Sequence, residues 1–430
     1  VSFYLEWGFK KNPFETNALP PTDEGNQLLV GRDVEIRKLR RRLDNAGKIP
    51  TVEGLNGVGK TSLTNVMLFR ALQESIENRV GPIYIPCRKI FQLDPSVSPT
   101  DFHLNVLMEV AQTLLDEHES LKAPAGRTRA AKNKNLERFL NSSHVTSFSA
   151  GAWIVNGGLS RETNTGVGFE RSGFEKAVCD WLLEVFPEHS SGGIVCIIDN
   201  LELLQTSTKA REAIEAFRDT LFSIKGLRWV LCGALGIVHG IASSPRLEGR
   251  LHKPIVLEDL KEEFAPEVFR NRIKAFRANV RAKLPMTETN FVEIFDIMRG
   301  NIRSVLSECD EFCSWVADRV EHPDEFEDDF FETWLSEELE NSYNAIRSEL
   351  RPAAMKVFST CCQFEVFSPS DCVAFGYETP MAMRPQIKAL ENAGLLVSSV
   401  DDEDKRRKTI QVTAKGWKVR GYLDYFDADE

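Results

Sequence analysis

The chain has 430 residues, 42% hydrophobic and 27% charged, with a formal net charge of −11. That length supports two or three domains with sizeable cores, and the composition is that of a globular rather than a disordered or fibrous chain. No apolar run reaches the length of a membrane span, residues 1–14 are aromatic and mixed rather than signal-like, and the nine cysteines show no C-x₂-C pairing; the expectation is a cytoplasmic protein with reduced core thiols and no membrane partner.

Residues 1–27, with Asn12-Pro13-Phe14 and Pro20-Pro21, read as an extended N-terminal segment. Val30-Gly31-Arg32-Asp33 follows, ahead of a helix predicted over 36–43. A short strand is predicted over 49–53 and a helix over 62–72. Between them stands Gly54-Leu55-Asn56-Gly57-Val58-Gly59-Lys60-Thr61, which fits the phosphate-binding pattern G-x-x-x-x-G-K-[ST]. Its glycines let backbone N–H groups from Asn56 to Gly59 curl around phosphates, while Lys60 can reach the β and γ oxygens and the Thr61 hydroxyl can ligate Mg²⁺. Ser62 then opens the helix, whose N-terminus favours anions. ATP and Mg²⁺ are the implied ligands.

Residues 81–87 read as a second buried strand and 100–117 as a helix. The stretch 122–138 carries Lys122, Arg127, Arg129, Lys132, Lys134 and Arg138; it reads as a solvated face or as a contact with DNA or a neighbouring subunit. Residues 148–169 are rich in Gly, Ser and Thr and suggest a β-hairpin or meander. The apolar strand 193–198 delivers Asp199 at its carboxyl end, where a P-loop needs a carboxylate for its metal. With strands at 227–232 and 254–257, the pattern predicts a parallel α/β sheet.

After residue 260 the pattern is helical, most clearly over 262–278, 288–298 and 302–316. Ten carboxylates and no Lys or Arg lie between Glu321 and Glu340, so the rest of the chain carries a formal −1 and net charge does not exclude nucleic acid. Phe326, Phe330, Phe331, Trp334 and Leu335 among these acids suggest an amphipathic connecting helix or a docking site for a basic partner.

Beyond Arg351 come an amphipathic stretch over 351–364, helix starts at Ser368-Pro369 and Thr379-Pro380, and a helix carrying Met383, Ile387 and Leu390 at helical spacing. It stops at Asn392-Ala393-Gly394. Strands over 395–400 and 409–412, then a final helix from Thr413, complete a winged helix-turn-helix pattern.

Together, Val30-Gly31-Arg32-Asp33, the Walker elements, the α/β core, the helical lid and Gly300-Asn301-Ile302-Arg303 resemble an AAA+ ATPase, most nearly the origin-recognition and initiator clade and the related STAND signalling ATPases. The resemblance runs from about Asn12 to the C-terminus. It implies an extended segment over 1–27, a P-loop α/β core over 28–258 with an insertion at 100–175, a helical lid with acidic linker over 259–345, and a winged helix domain over 346–430. It also implies that Val30, Gly31 and Arg32 line the base pocket, that Arg303 contacts the γ-phosphate as the lid arginine, and that Arg246 or Arg250 serves a neighbouring subunit as an arginine finger. A homo-oligomer or a complex with other proteins follows from that last role. In the winged helix, Arg384, Gln386 and Lys388 would face the major groove of double-stranded DNA, and Lys405, Arg406, Arg407 and Lys408 would meet phosphates.

Two positions depart from the family. Asn200 follows Asp199 where a glutamate usually positions the attacking water, so either Glu202 acts from a shifted position or hydrolysis is slow and the site is a nucleotide switch. Where a polar residue is usual at the end of the fourth strand, the chain has Cys232-Gly233-Ala234. Two functions are therefore expected from the resemblance: ATP-dependent assembly on DNA, or a STAND-like switch whose winged helix packs on the core as a regulatory clamp.

Overall fold

In the computed structural model of the chain, residues 2–45, 47–78, 81–94, 96–118, 134–140, 171–201, 207–234, 238, 241, 244–247, 249–364, 366–400 and 408–426 are described. The apolar runs found in the sequence form one parallel sheet. Its strands are β1 (Thr51–Gly54), β2 (Ile83–Pro86), β3 (Phe91–Gln92), β4 (Gly192–Asp199), β5 (Leu227–Gly233) and β6 (Ile255–Leu257), in the order β2-β4-β5-β1-β6, with β3 also paired to β4. β4 is buried along its whole length, as a strand covered on both faces must be, and this is why its sequence is continuously apolar rather than alternating.

Alternate residues of β4 serve two cores. Ile194, Cys196 and Ile198 face one that includes Phe91, Phe102, Trp181 and Trp229. Val195 and Ile197 face the other, with Leu39 of the helix Asp33–Asp44 and Leu63, Val66 and Met67 of the helix Lys60–Asn78. The phosphate loop joins β1 to the second of these helices, so the site lies at the carboxyl ends of the strands.

A third core holds the helices Ala265–Phe276, Glu288–Ile297 and Ile302–Ala317 together with Tyr4, Trp7, Phe9 and Phe14 from the start of the chain. The extended reading of residues 1–27 is corrected here: Phe3–Glu6 and Asp23–Leu28 are helical. Thr22 supplies the reason at the second helix, its hydroxyl accepting from Gly25 N at 3.4 Å as an N-cap. Two helices of the core were not foreseen, Arg171–Val185 and Ser207–Phe217. The first runs past the expected end of the insertion at 175. The predicted meander at 148–169 and most of the basic stretch at 122–138 lie outside the described residues.

The acidic segment becomes the helix Phe330–Arg347, which buries Phe331, Trp334, Leu335 and Leu339 while Glu332, Glu337 and Glu340 stay exposed. Beyond it, the helix Pro352–Cys361, a 3₁₀ helix Pro369–Phe375 and the helix Pro380–Asn392 pack with the antiparallel pair β7 (Leu396–Val400) and β8 (Lys408–Val412). The element opened by Ser368-Pro369 is thus a 3₁₀ helix. Met383, Ile387 and Leu390 face this fourth core. The last helix, Ala414–Phe426, returns to the lid: Lys418 Nζ lies 3.0 Å from Glu308 Oε1 and 2.6 Å from Glu338 Oε1, and the Tyr343 and Tyr422 rings stack at 4.3 Å.

Candidate functional site

β1 ends at Gly54, and the loop that follows turns into the helix Lys60–Asn78 so that Lys60 is buried. Its Nζ donates to Gly54 O at 3.1 Å and Leu55 O at 3.0 Å. Both acceptors belong to the loop itself, so phosphate oxygens would replace neutral carbonyls with charged partners. Thr61 Oγ1 donates to Asp199 Oδ2, which brings the two predicted metal ligands from separate elements into direct contact. Hard oxygen donors of this kind suit Mg²⁺, which takes one or two protein ligands and completes its shell with phosphates and water. Among the described residues, no cluster of three or more His, Cys, Asp or Glu is placed to hold a metal by itself.

The loop opens on a cavity of about 310 Å³ between the sheet and the helical lid. Asn56, Gly57, Val58, Gly59, Lys60, Thr61, Ser62, Asp199 and Asn200 line its core side, and Arg303 its lid side. The lid is tied to the loop at two points. Asn301 caps the helix Ile302–Ala317 and its Nδ2 donates to Asn56 O at 2.9 Å, while Arg303 N donates to Gly57 O at 3.3 Å. The Arg303 side chain is exposed at the cavity.

At the far end, Leu28, Val30, Leu260, Val268 and Leu306 make an apolar wall. Gly31 is required beside it: its φ is +71°, and a Cβ there would stand 2.7 Å from the Phe264 ring and 2.8 Å from Leu260. Arg32 is buried, and its Nη2 donates to Val58 O at 3.2 Å and Glu258 O at 2.8 Å. Burial pulls its pKa below the usual guanidinium value. Arg32 therefore fastens the phosphate loop to the chain leading into the lid rather than meeting solvent.

The structure adds residues that sequence reasoning missed. Thr16, Asn17, Ala18 and Leu19 cross the cavity mouth, held by Leu19 N donating to Ser62 Oγ at 3.0 Å and Asn65 Nδ2 donating to Leu19 O at 2.9 Å. The Ser62 hydroxyl thus serves the N-terminal segment. Arg272 is 5% exposed, donates to Pro13 O at 2.8 Å and Glu15 O at 3.3 Å, and has an Nε without a hydrogen-bond partner among the described residues. Burial lowers its pKa to about 10, still far above neutrality, so the group remains a cation. Its signal was a lone charge on an otherwise apolar helix face with Val268, Phe269 and Phe276. Gln92 lines the same cavity. With Arg32, Lys60, Arg272 and Arg303 against Asp199, the cavity carries the positive field that a polyphosphate needs.

The remaining predicted residues lie elsewhere. Asn200 has a φ of 57° and donates its N–H to Asp199 Oδ1 at 2.8 Å, while Glu202 lies outside the described residues. Cys232 is buried, and neither it nor Gly233 or Ala234 lines the cavity. Arg246 and Arg250 are exposed at the opposite end of the sheet, where Arg250 O accepts from Ile49 N ahead of β1. Neither reaches the phosphate loop of its own chain. In the C-terminal module's helix Pro380–Asn392, Arg384 and Lys388 are exposed, whereas Gln386 is half-buried beside the core positions Met383 and Leu390. Lys405, Arg406 and Arg407 lie outside the described residues, and Lys408 opens β8 opposite Val400.

No protein-family model matches the chain, and no curated protein does. Among solved structures it is similar to a Walker-type ATPase of Pyrococcus abyssi, at 14% identity over 96% of this chain and 99% of that one, with a TM-score of 0.46. It is also similar to the Orc2 protein of Aeropyrum pernix in ADPNP and ADP complexes, at 12% identity over 98% and 99% of the two chains with a TM-score of 0.47. The Orc1 protein of the same organism, solved in complex with DNA, is similar at 14% identity over 97% of each chain with a TM-score of 0.44.

Proposed function

We propose that this chain is an AAA+-type ATPase of the initiator-like kind, which binds ATP between its α/β core and helical lid and uses nucleotide state to control assembly on double-stranded DNA. The observation that carries the reading is the convergence of Lys60 and Thr61, Asp199, and Arg303 on one cavity from three separate elements. Lys60 would leave its loop carbonyls for the β and γ oxygens, and Arg303 would complete the charge from the lid side. Thr61 and Asp199 would hold Mg²⁺, which when bound neutralises developing phosphate charge. Arg246 or Arg250, too far from its own loop, is suited to act on a neighbour's nucleotide in a homo-oligomer or hetero-complex. The C-terminal module, read as a winged helix, offers Arg384, Gln386 and Lys388 to base edges and Lys405 to Lys408 to phosphates.

The test is salt-dependent DNA binding by the full-length protein with ATP. Changing Lys405, Arg406, Arg407 and Lys408 to Ala should weaken binding to every sequence and flatten its salt slope, each phosphate contact contributing roughly 0.9 to that slope. Arg384→Ala should instead reduce discrimination between sequences. Wild-type protein that binds DNA no better than the quadruple variant at low salt defeats the DNA reading.

One observation favours a second reading, a STAND-like switch in signalling or prokaryotic defence. The last helix of the C-terminal module is clamped to the lid through Lys418, Glu308 and Glu338, as a regulatory module would be. Its mark would be nucleotide-dependent release of that helix without DNA affinity.

A further inference from the structure

The family resemblance leaves hydrolysis without its usual glutamate, because Asn200 follows Asp199. Asn200 is held in the left-handed region at φ 57°, a conformation that Asn tolerates better than Glu. The residue that could replace the glutamate comes from the other side of β4. β3 is only two residues long, and it pairs in parallel with the carboxyl end of β4, Phe91 opposite Ile198 and Gln92 opposite Asp199. Registered residues of adjacent strands share a face of the sheet. Phe91 and Ile198 both lie in the core on one face, so Gln92 and Asp199 both lie on the other, the face of the P-loop helix. Gln92 is exposed and lines the cavity together with Lys60, Thr61, Asp199 and Asn200.

We propose that Gln92 orients the attacking water for ATP hydrolysis, in the place that Asn200 leaves vacant. This rests on the reading of the cavity as an ATP site. A glutamine amide can accept from water through Oε1 and donate to a γ-phosphate oxygen through Nε2, which aligns the nucleophile without taking its proton; a glutamine does this work in some GTPases. The water oxygen bonds to the γ-phosphorus while the bond from that phosphorus to the β,γ-bridging oxygen breaks, leaving ADP. One water proton passes to a γ-phosphate oxygen and the other to solvent, giving hydrogen phosphate. Because the amide does not titrate, no base is needed at either residue 92 or residue 200.

The experiment measures single-turnover hydrolysis, ATP affinity and affinity for ADP with aluminium fluoride in full-length wild type, Gln92→Ala, Gln92→Asn and Glu202→Gln. Gln92→Ala should slow hydrolysis about a hundredfold and lose the tighter binding of ADP–aluminium fluoride over ADP, with ATP affinity within about twofold of wild type. Gln92→Asn keeps the amide but shortens its reach, and should lose most of the rate as well. Glu202→Gln should leave the rate nearly unchanged. Wild-type rates in Gln92→Ala, a collapse confined to Glu202→Gln, or wild-type protein that binds ATP without hydrolysing it would each overturn the assignment. Wild-type protein that binds no ATP would instead overturn the nucleotide reading beneath it.

Discussion

Gly57→Ala isolates the joint between phosphate loop and lid. Gly57 has a φ of +88°, and a Cβ added there would stand 2.6 Å from Asn301 Oδ1 and 2.8 Å from Arg303 Cβ, both at the start of the lid helix Ile302–Ala317. The backbone strain of roughly 1–2 kcal/mol is paid whether the lid is open or closed, so it cancels from the lid equilibrium. The contact does not cancel. To relieve it, the helix start must move, which breaks the Asn301 bond to Asn56 O and the Arg303 N bond to Gly57 O, each about 1 kcal/mol net, and disturbs the Asn301 cap. Lid closure should therefore weaken by about 2–3 kcal/mol, a factor of roughly 30 to 150. Hydrogen exchange over residues 301–306 of the nucleotide-free protein reads this opening directly. Gly59→Ala is the control, since Gly59 shares the positive φ at +98° but a Cβ there meets nothing within 4 Å among the described residues. Equal lid protection in the two variants would refute the argument.

Lys60→Ala should abolish nucleotide binding in an equilibrium titration while the melting temperature changes by no more than about 2–4 °C, because among the described residues the amine bonds only the Gly54 and Leu55 carbonyls. Lys418→Ala should free the helix Ala414–Phe426 from the lid, seen as faster exchange over 414–426, because it leaves Glu308 buried without its cation, a loss worth roughly 3–5 kcal/mol when neither partner can relax. Burial already raises the pKa of Glu308 from 4.5, so its protonation offsets part of that loss. Burial opposes the charge on Lys418 too, but Glu308 and Glu338 outweigh it and raise its pKa above the ordinary 10.5. The folded lysine thus holds its proton more tightly than the unfolded one: its contribution is complete below pH 10.5 and is lost as pH rises through the folded value. Thermal melts should show wild type more stable than Lys418→Met at pH 9 and the difference shrinking above pH 10.5; an advantage that grows with alkalinity would contradict the ion pair.

What the sequence disclosed and what it hid divide along a physical line. The phosphate loop and Asp199 were legible because each needs a particular residue type at a fixed distance from a strand end, and strand β4 announces itself by an unbroken apolar run. The helix Pro380–Asn392 was legible for a similar reason, with a Thr379 cap, a proline at its first turn and three core residues at helical spacing. Gln92 and the crossing of the cavity mouth by Thr16 to Leu19 were not. Their positions depend on pairings between segments distant in the chain: β3 beside β4, and Leu19 against Ser62 and Asn65. The helix Phe3–Glu6 was missed because four residues give no helical period to read, and its aromatic side chains are held by the lid rather than by each other alone.

That division bears on how a nucleotide could be felt at the far end of the molecule. The helix Ile302–Ala317 carries Arg303 at the cavity and Glu308 at the clamp on the last helix. Five residues of helix separate them by about 7.5 Å along the axis, and the helix between is packed through Val305 and Leu306 into the lid core. A packed helix of this kind moves as a body rather than bending at one residue. A displacement of the whole helix that brought Arg303 closer to phosphates would carry Glu308 with it, and through Lys418 the end of the C-terminal module. A second route lies beside it: Leu55 of the phosphate loop, Arg299 of the lid and Gln363, Phe364 and Trp417 of the C-terminal module line one cavity of about 360 Å³, where the Arg299 guanidinium stands over the Trp417 ring at 5.5 Å. Loop, lid and C-terminal module therefore border one cavity, with the Arg299–Trp417 contact joining lid to module across it. The energy available to move them is the differential affinity of the nucleotide for the two lid positions and no more; with two loop-to-lid hydrogen bonds and one guanidinium at stake, that is a few kcal/mol, the same order as the ion pair that holds the last helix in place.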